Sequence, residues 1–272
     1  MFSNPTAVTF TGYMILMVAL GFIAWRYTRN FSDYILGGRS LGGIVTALSV
    51  GASDMSGWLL MGLPGAVFIS GITESWIAIG LILGTYLNWK FVAARLRVYT
   101  EVSHNALTLP DFFTHRFKDE TRVLRIVAAV VILLFFTIYC ASGVVAGARL
   151  FENTFGMSYE RALWIGAAAT ILYVFIGGFL AVSWTDTFQA SLMCVALVVT
   201  PIVVMSDLGG FTSAVEQVRA INVNMTNMLS HQTFIGVVSL LAWGLGYFGQ
   251  PHILVRFMAA RSIKVISRAT RI

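Results

Sequence analysis

Long apolar runs, separated by short polar stretches, extend along the whole of this chain. A run of about 20 apolar residues can cross the ~30 Å hydrocarbon core of a bilayer as a helix. The pattern therefore predicts an all-α polytopic membrane protein, with about seven spans in a single transmembrane domain over residues 1–272. The predicted spans are residues 6–25, 40–70, 75–94, 126–148, 162–182, 188–205 and 233–257.

Two of these spans contain stretches that do not suit a straight helix. Residues 51–58 read Gly-Ala-Ser-Asp-Met-Ser-Gly-Trp, and Pro64 follows within the same run. Residues 243–251 read Trp-Gly-Leu-Gly-Tyr-Phe-Gly-Gln-Pro. Glycine and proline are tolerated at membrane depth where neighbouring groups satisfy the freed backbone. We therefore predict that the second and seventh spans are broken helices.

The distribution of charged residues predicts how the spans are oriented in the membrane. Only 11% of residues are charged, whereas a soluble domain has roughly 25%. The net charge of +6 does not indicate nucleic-acid binding, because the basic residues gather in loops between apolar runs. With the N-terminus outside, inner segments carry 15 of the 18 Lys and Arg residues. The predicted tail, residues 256–272, is then cytoplasmic.

The orientation also relates the two broken spans to each other. They are five helices apart and run in opposite directions, as the first helices of two inverted five-helix repeats would. Interrupted helices at matched positions are the best sequence indication of a transporter's binding site. The pattern thus favours a substrate and a small cation bound near the membrane midplane.

Three connections between spans carry local signals. A short surface helix is predicted within residues 108–117, with Thr108 or Leu109 preceding it and Pro110 in its first turn. Ser213 and Glu216 fit a capping box, which predicts a helix in the loop after the sixth span. Asp186 is predicted to lie in a very short turn between the fifth and sixth spans.

Four motifs resemble those of the solute:sodium symporters, most closely the sodium/proline symporters. They are Asp-Tyr-Ile-Leu-Gly-Gly-Arg-Ser at 33–40, the stretch at 51–58, Asn-Ala-Leu-Thr-Leu-Pro-Asp at 105–111 and Gly-Tyr-Phe-Gly-Gln-Pro-His at 246–252. The resemblance implies the LeuT-type inverted-repeat fold and sodium-driven uptake of L-proline. It also implies that this chain, which stops after its seventh span, holds an extra N-terminal helix, the first repeat and the first helix of the second.

The resemblance further implies roles for residues around the first break. Sodium would bind through Asp54 and the carbonyls of Ala52 and Met55, and the second half of that site would lie beyond this chain. The amides of Ser56 and Gly57 would meet the substrate carboxylate at a half-helix N-terminus. From the residues alone, Asp54 could instead cap freed backbone donors, and Ser56 could bond back to its own helix.

The same resemblance assigns substrate-binding roles on other spans. Trp243, Tyr247 and Pro251 recur every four residues and are predicted to share one face, which suits a pyrrolidine ring and an ammonium. An aromatic packing stripe is the alternative. Tyr139 is a weaker candidate, because a buried hydroxyl needs a partner of some kind. Asp186 is either a helix cap or a station on the sodium exit path.

The remaining expectations concern partners and function class. The expected ligands are Na⁺ as coupling ion and L-proline as substrate, in the bilayer of the cytoplasmic membrane. No organic cofactor and no nucleic acid are expected, and no nucleophile, paired-carboxylate or metal constellation indicates an enzyme. The abrupt end of the chain leaves one alternative open, a truncated membrane protein or sensor that binds without cycling.

Overall fold

The computed structural model describes residues 5–230 and 232–272, and the elements named in those ranges are helices or helical turns, which confirms the all-α prediction. Helices α1 to α8 are Pro5–Tyr27, Phe31–Leu36, Gly43–Asp54, Leu63–Ser70, Ser75–Asn88, Ala94–Val102, Leu109–Phe117 and Val123–Phe155. Helices α9 to α13 are Tyr159–Asp207, Phe211–Ile221, Phe234–Leu241, Pro251–Ala259 and Ile263–Ala269.

Four helices among the described residues are long and apolar enough to cross a membrane, and two bent helix pairs would raise the number to six. The third and fourth spans are longer than predicted. The third continues through a π-helical turn, Trp89–Ala93, to Val102, and the fourth is the whole of α8. The number six counts α9 once, although that element changes direction within its length.

The turn within α9 lies at Gly178, not at Asp186 as predicted. Gly178 has φ 58° and ψ −152°, and a Cβ there would lie 2.7 Å from the ring and 2.9 Å from the carbonyl oxygen of Tyr34. Only glycine tolerates that backbone at that distance. Asp186 therefore lies inside the helical segment that follows the turn, and the predicted loop around it is wrong.

Both predicted breaks are present. Helix α3 ends at Asp54, and a π-helical turn, Trp58–Gly62, leads into α4 at a bend of 67°. In the seventh span, a 3₁₀-helical stretch from Ala242 to Phe248 follows α11, and the chain bends by 44° into α12. Glycine and proline end regular hydrogen bonding at these points, so the local sequence was sufficient to predict the breaks.

The start of the second span and the end of the seventh are joined through the main chain. The Leu41 N–H donates to the Ala259 carbonyl at 3.2 Å, and the Arg261 N–H donates to the Leu41 carbonyl at 3.0 Å. Phe257 of α12 is fully buried beside them, and the Trp89 ring contacts it edge-on at 4.7 Å. The inner half of the seventh span is therefore anchored to the start of the second.

The basic segment predicted as a tail, residues 256–272, takes part in this packing. Helix α13 buries Ile266 and Ala269, and Arg256 is only 6% exposed. An arginine can bury its guanidinium against carbonyls and carboxylates, so a basic composition does not keep this segment out of the protein interior.

The surface helices follow the sequence more closely. Helix α7 begins after Thr108, one of the two predicted positions, and the Thr108 side chain accepts a hydrogen bond from the Asp111 N–H at 3.3 Å. Helix α10 also exists, but it begins at Phe211 after Gly210. Ser213 lies within it, so the predicted capping box was wrong, since the glycine before the helix already turns the chain at φ 100°.

Candidate functional site

The two helix breaks are in direct contact with each other. The Tyr247 hydroxyl, from the 3₁₀ stretch of the seventh span, donates a hydrogen bond to the Asp54 carboxylate. Just above the first break, the Trp58 and Trp243 rings stack with centroids 4.4 Å apart and an interplanar angle of 18°. One polar and one aromatic contact therefore connect the stretches that sequence patterning had singled out.

Tyr247 is held in place by the close approach of its backbone to α5. A Cβ on Gly80 would collide with the main chain of Leu241, and a Cβ on Gly84 would collide with that of Gly244. The Asn88 side-chain amide donates to the Tyr247 carbonyl at 3.0 Å. These contacts leave Tyr247 only 5% exposed and aim its hydroxyl at Asp54.

Asp54 has a polar partner but no cationic one. Among the ion pairs of residues 5–230 and 232–272, no basic side chain pairs with its carboxylate. A cavity of about 490 Å³ adjoins it, lined also by Gly51, Met55 and Tyr247. A carboxylate at membrane depth needs a partner charge or water. The carboxylate oxygens and this space suit a small hard cation, which prefers oxygen ligands.

The expected carbonyl ligands are less free than predicted. The Ala52 carbonyl accepts a hydrogen bond from the Met55 N–H at 3.1 Å, because the chain tightens into a turn instead of simply opening. A carbonyl oxygen keeps a second lone pair, so Ala52 can still contribute to a cation site. Ala52 and Met55 also border a separate cavity of about 380 Å³ with Tyr13 and Gln189.

Ser56 forms hydrogen bonds with neighbouring backbone groups, as in the alternative interpretation that it bonds back to its own helix. Its N–H donates to the Asp54 carbonyl at 2.7 Å, and its hydroxyl oxygen accepts from the Leu59 N–H at 3.3 Å. The Ser56 amide is therefore not open to a substrate carboxylate in this conformation, contrary to the prediction. Gly57 packs against α8, where a Cβ would collide with that of Ala146.

Trp243, Tyr247 and Pro251 do not share one face, so this prediction was wrong. A 3₁₀ helix has three residues per turn, and residues four apart therefore diverge. Trp243 is 48% exposed, whereas Tyr247 is buried beside Asp54. Pro251 begins α12 and borders a third cavity, together with Phe136 and His252.

Tyr139 of α8 lies close to both broken spans. Its hydroxyl is 3.5 Å from the Ser53 carbonyl, and its ring stacks on His252 with centroids 5.3 Å apart. Tyr139 also borders a cavity of about 360 Å³ with Ser56 and Gly57. The fourth span thus closes one side of the first break.

A second polar cluster, which we call the inner cluster, comprises Ser49, Ser53, Asp186 and Arg256. The Asp186 Oδ2 atom accepts from Ser49 Oγ at 2.8 Å and from Arg256 Nη2 at 2.7 Å, and Ser53 Oγ lies 3.1 Å from it. Arg256 Nε also donates to Ser49 Oγ at 2.7 Å. The cluster joins α3, α9 and α12.

Sequence reasoning missed Ser49 and Arg256. Two signals could have found them. Ser49 lies four residues before Ser53 on the same helix, and Arg256 lies within the predicted span 233–257. An arginine inside a span is expected to face a partner within the protein.

Arg39 occupies the inner mouth of the second span. Its guanidinium donates to the carbonyls of Met258 at 2.7 Å and Ala106 at 2.9 Å, and to the Asn105 side chain at 2.9 Å. Burial, followed by the nearby Arg97 charge, lowers the pKa of Arg39 to about 10, so it stays cationic at neutral pH. It therefore caps the end of α12.

Comparison with known proteins gives a consistent result. The sequence profile described as "Sodium:solute symporter family" matches residues 34–272. The chain is 68% identical over 270 residues to the sodium/proline symporter of Escherichia coli K12, which covers 99% of this chain and 54% of that protein. It is 52% identical over 256 residues to the high-affinity proline transporter PutP of Bacillus subtilis 168, and this match covers 94% of this chain and 54% of that protein.

A solved structure shares the fold. It is a Na⁺-coupled sialic acid symporter in a substrate-bound outward-open state, with a TM-score of 0.81 and 18% sequence identity. The match covers 96% of this chain and 55% of that one. The expected LeuT-type fold is thus confirmed, and this chain spans about half the length of the relatives it matches.

Proposed function

Because the chain belongs to the sodium:solute symporter family, we propose that it carries out, within the complete transporter, sodium-coupled symport of L-proline by alternating access. Its matched relatives are named as proline transporters, and the chain is 68% and 52% identical to the two described above. The chain is a multi-pass membrane protein, and we place it in the cytoplasmic membrane.

The observation that carries this proposal is the contact between the two helix breaks. The Tyr247 hydroxyl bonds to Asp54, and Trp243 stacks on Trp58, so the unwound segments of two oppositely directed spans meet. Binding sites of inverted-repeat transporters form where discontinuous helices meet near the midplane. This geometry supports an ion and a substrate bound together.

We assign the ion to the inner side of the first break. Asp54 and the carbonyls of Ala52 and Met55 would hold Na⁺ there, completed by a helix outside this chain. Ser53 connects this level to Asp186, since its hydroxyl lies 3.1 Å from that carboxylate. The contact supports Asp186 as a station on the sodium exit path.

We assign L-proline to the space beside the ion. Tyr247 would contact its ring and ammonium from one side and Tyr139 from the other, while Trp243 would approach from a different face through its stack on Trp58. Gly57 would let the substrate approach the backbone. The proposed set is Gly57, Tyr139, Trp243 and Tyr247, because Ser56 bonds within its own chain and Pro251 borders a separate cavity.

We also propose seven spans with the N-terminus outside. Counting α9 as two spans that meet at Gly178 turns the six possible spans into seven. This topology places 15 of the 18 Lys and Arg residues on the cytoplasmic side.

The test is labelled proline uptake into proteoliposomes containing the complete natural protein that includes this chain, with and without an inward sodium gradient. Asp54→Asn is compared with Asp119→Asn, a surface carboxylate outside the spans. We expect sodium-driven uptake in wild type and in Asp119→Asn, and its loss in Asp54→Asn. Sodium-independent uptake, or full activity of Asp54→Asn, would contradict the proposal.

The half-length match supports testing a second candidate, a membrane protein that binds without cycling. A polypeptide of these 272 residues lacks the helix proposed to complete the sodium site. We expect it to bind labelled proline weakly at best and to give no uptake. Sodium-driven uptake by the 272 residues alone would exclude this candidate.

A further inference from the structure

The Arg256 guanidinium lies where a bound cation would lie in the inner cluster. Its Nη2 atom is 2.7 Å from Asp186 Oδ2, and its Nε atom is 2.7 Å from Ser49 Oγ. The side chains of Arg256 and Asp186 are only 7% and 12% exposed. The guanidinium thus contacts the same oxygen atoms that a sodium ion would use at this level.

The single negative charge of Asp186 cannot balance two cations. Among the described residues Arg256 is its ion-pair partner. A sodium ion at Asp186 would place a second positive charge next to the guanidinium, and at this depth the repulsion is only weakly screened. Each cation therefore weakens the binding of the other at this carboxylate.

We propose that Arg256 is a resident cation that competes with sodium for Asp186, so that a sodium ion passing this station displaces the guanidinium and frees α12 from α3 and α9. The inference rests on the proposed function, because it takes Asp186 as a stop on the sodium exit path. Arg256 is a positioning residue in this scheme, since it acts through Asp186 and touches neither proline nor the ion.

The displaced guanidinium has a second partner within reach. The centre of the Arg256 guanidinium lies 5.8 Å from the centroid of the Phe179 ring, within the distance for a cation–π contact. Arg256 also donates to the His252 carbonyl of its own helix. These two contacts offset part of the cost of leaving Asp186, although neither supplies a counter-charge.

The test is equilibrium binding of radioactive sodium, without proline, to the complete natural protein in detergent. If Arg256 competes, Arg256→Gln should bind sodium more tightly, by roughly fivefold to a hundredfold, the usual range of coupling between two binding events. Arg256→Lys should give a smaller gain, because an ammonium makes one contact where the guanidinium makes several. The double variant Asp186→Asn/Arg256→Gln should lose the gain.

Arg97→Gln is the matched control. Arg97 is also buried, and it donates to the Ala260 carbonyl at 2.5 Å beside the end of α12, but it does not contact Asp186. We expect its sodium affinity to equal that of wild type. An equal gain in Arg97→Gln would show a general loosening of α12 and would overturn the proposal.

The remaining outcomes separate this inference from the proposed function. Unchanged or weaker sodium binding in Arg256→Gln, with normal proline uptake by wild type, overturns the competition alone. Absence of sodium-driven uptake in wild type overturns the proposed function instead. If Arg256→Gln does not fold, as judged by its melting temperature, Arg256→Lys decides, and unchanged sodium affinity there overturns the competition.

Discussion

Asp54, which is partly buried, and Asp186, which is buried, have opposite electrostatic surroundings. Asp54, at the end of α3, is bonded by the neutral hydroxyl of Tyr247. Asp186, within α9, is bonded by the cationic Arg256 and by Ser49. One acid is therefore left without a counter-charge from the described residues, while the other has one already.

The difference follows from the secondary structure around each acid. Asp54 lies at a helix break, beside a cavity and opposite a 3₁₀ stretch that presents a tyrosine. Asp186 lies in an unbroken helical segment packed against two other helices. A carboxylate at a break can accept a mobile ion directly, whereas a carboxylate between packed helices needs a cation beside it, from a side chain or from a bound ion.

The largest expected effect comes from removing the acid that has a fixed partner. Asp186→Asn leaves the Arg256 charge buried and unpaired, which should cost about 3–5 kcal/mol of folding stability. Denaturant or thermal unfolding in detergent measures the loss. The double variant Asp186→Asn/Arg256→Gln should recover most of it, because no buried charge remains. Equal stability of the single and double variants would contradict the comparison.

Removing the other acid should affect ion binding more than stability. Asp54→Asn should lower sodium affinity by at least roughly a hundredfold. Losing a residue that only supports a metal ligand costs about 10–100-fold in affinity, and losing a ligand itself should cost more. The melting temperature of Asp54→Asn should change little, because no cation is left unpaired. Sodium binding and unfolding measured on the same preparation test both halves of the prediction, and a large stability loss would argue against it.

Tyr247→Phe tests how much the neutral partner of Asp54 contributes. A hydrogen bond to a charged group contributes about 1.5–3 kcal/mol, so we expect roughly a tenfold to hundredfold loss of proline uptake. Tyr86→Phe is the control, since Tyr86 lines the same cavity but is 53% exposed. Equal losses in the two variants would indicate a general effect of tyrosine removal.

The smallest effect is expected at the stacked tryptophans, Trp58 and Trp243. An aromatic pair contributes about 0.5–1.5 kcal/mol beyond its buried area. A double-mutant cycle with Trp58→Leu and Trp243→Leu, measured by thermal unfolding, should give a coupling energy in that range. A coupling energy of zero would show that the outer halves of the two spans pack independently.

Sequence patterning was sufficient for the features that depend on local backbone chemistry. The breaks near Asp54 and Gly249 follow from glycine and proline, and the start of α7 follows from Thr108 and Pro110. The position of the turn within α9 was harder to predict. The turn at Gly178 depends on how closely that glycine approaches Tyr34, a contact between segments far apart in sequence.

The candidate site was only partly predictable for the same reason. The motif resemblance identified Asp54 and Tyr247, and the structure brings them together. A four-residue spacing could not show that Trp243 and Pro251 diverge, because it assumed an α-helix where the chain is 3₁₀-helical. The partnership of Asp186 with Arg256 joins residues 70 positions apart, which no local pattern encodes.

The backbone pairing of Leu41 with Ala259 and Arg261 has a mechanical consequence. It fastens the start of the second span to the end of the seventh, and it uses only main-chain atoms. Side-chain substitutions at these positions leave its hydrogen bonds in place, whereas a proline at position 261 would remove a donor and break one of them. Side chains here can therefore change while the point at which the two segments are fastened to each other is kept.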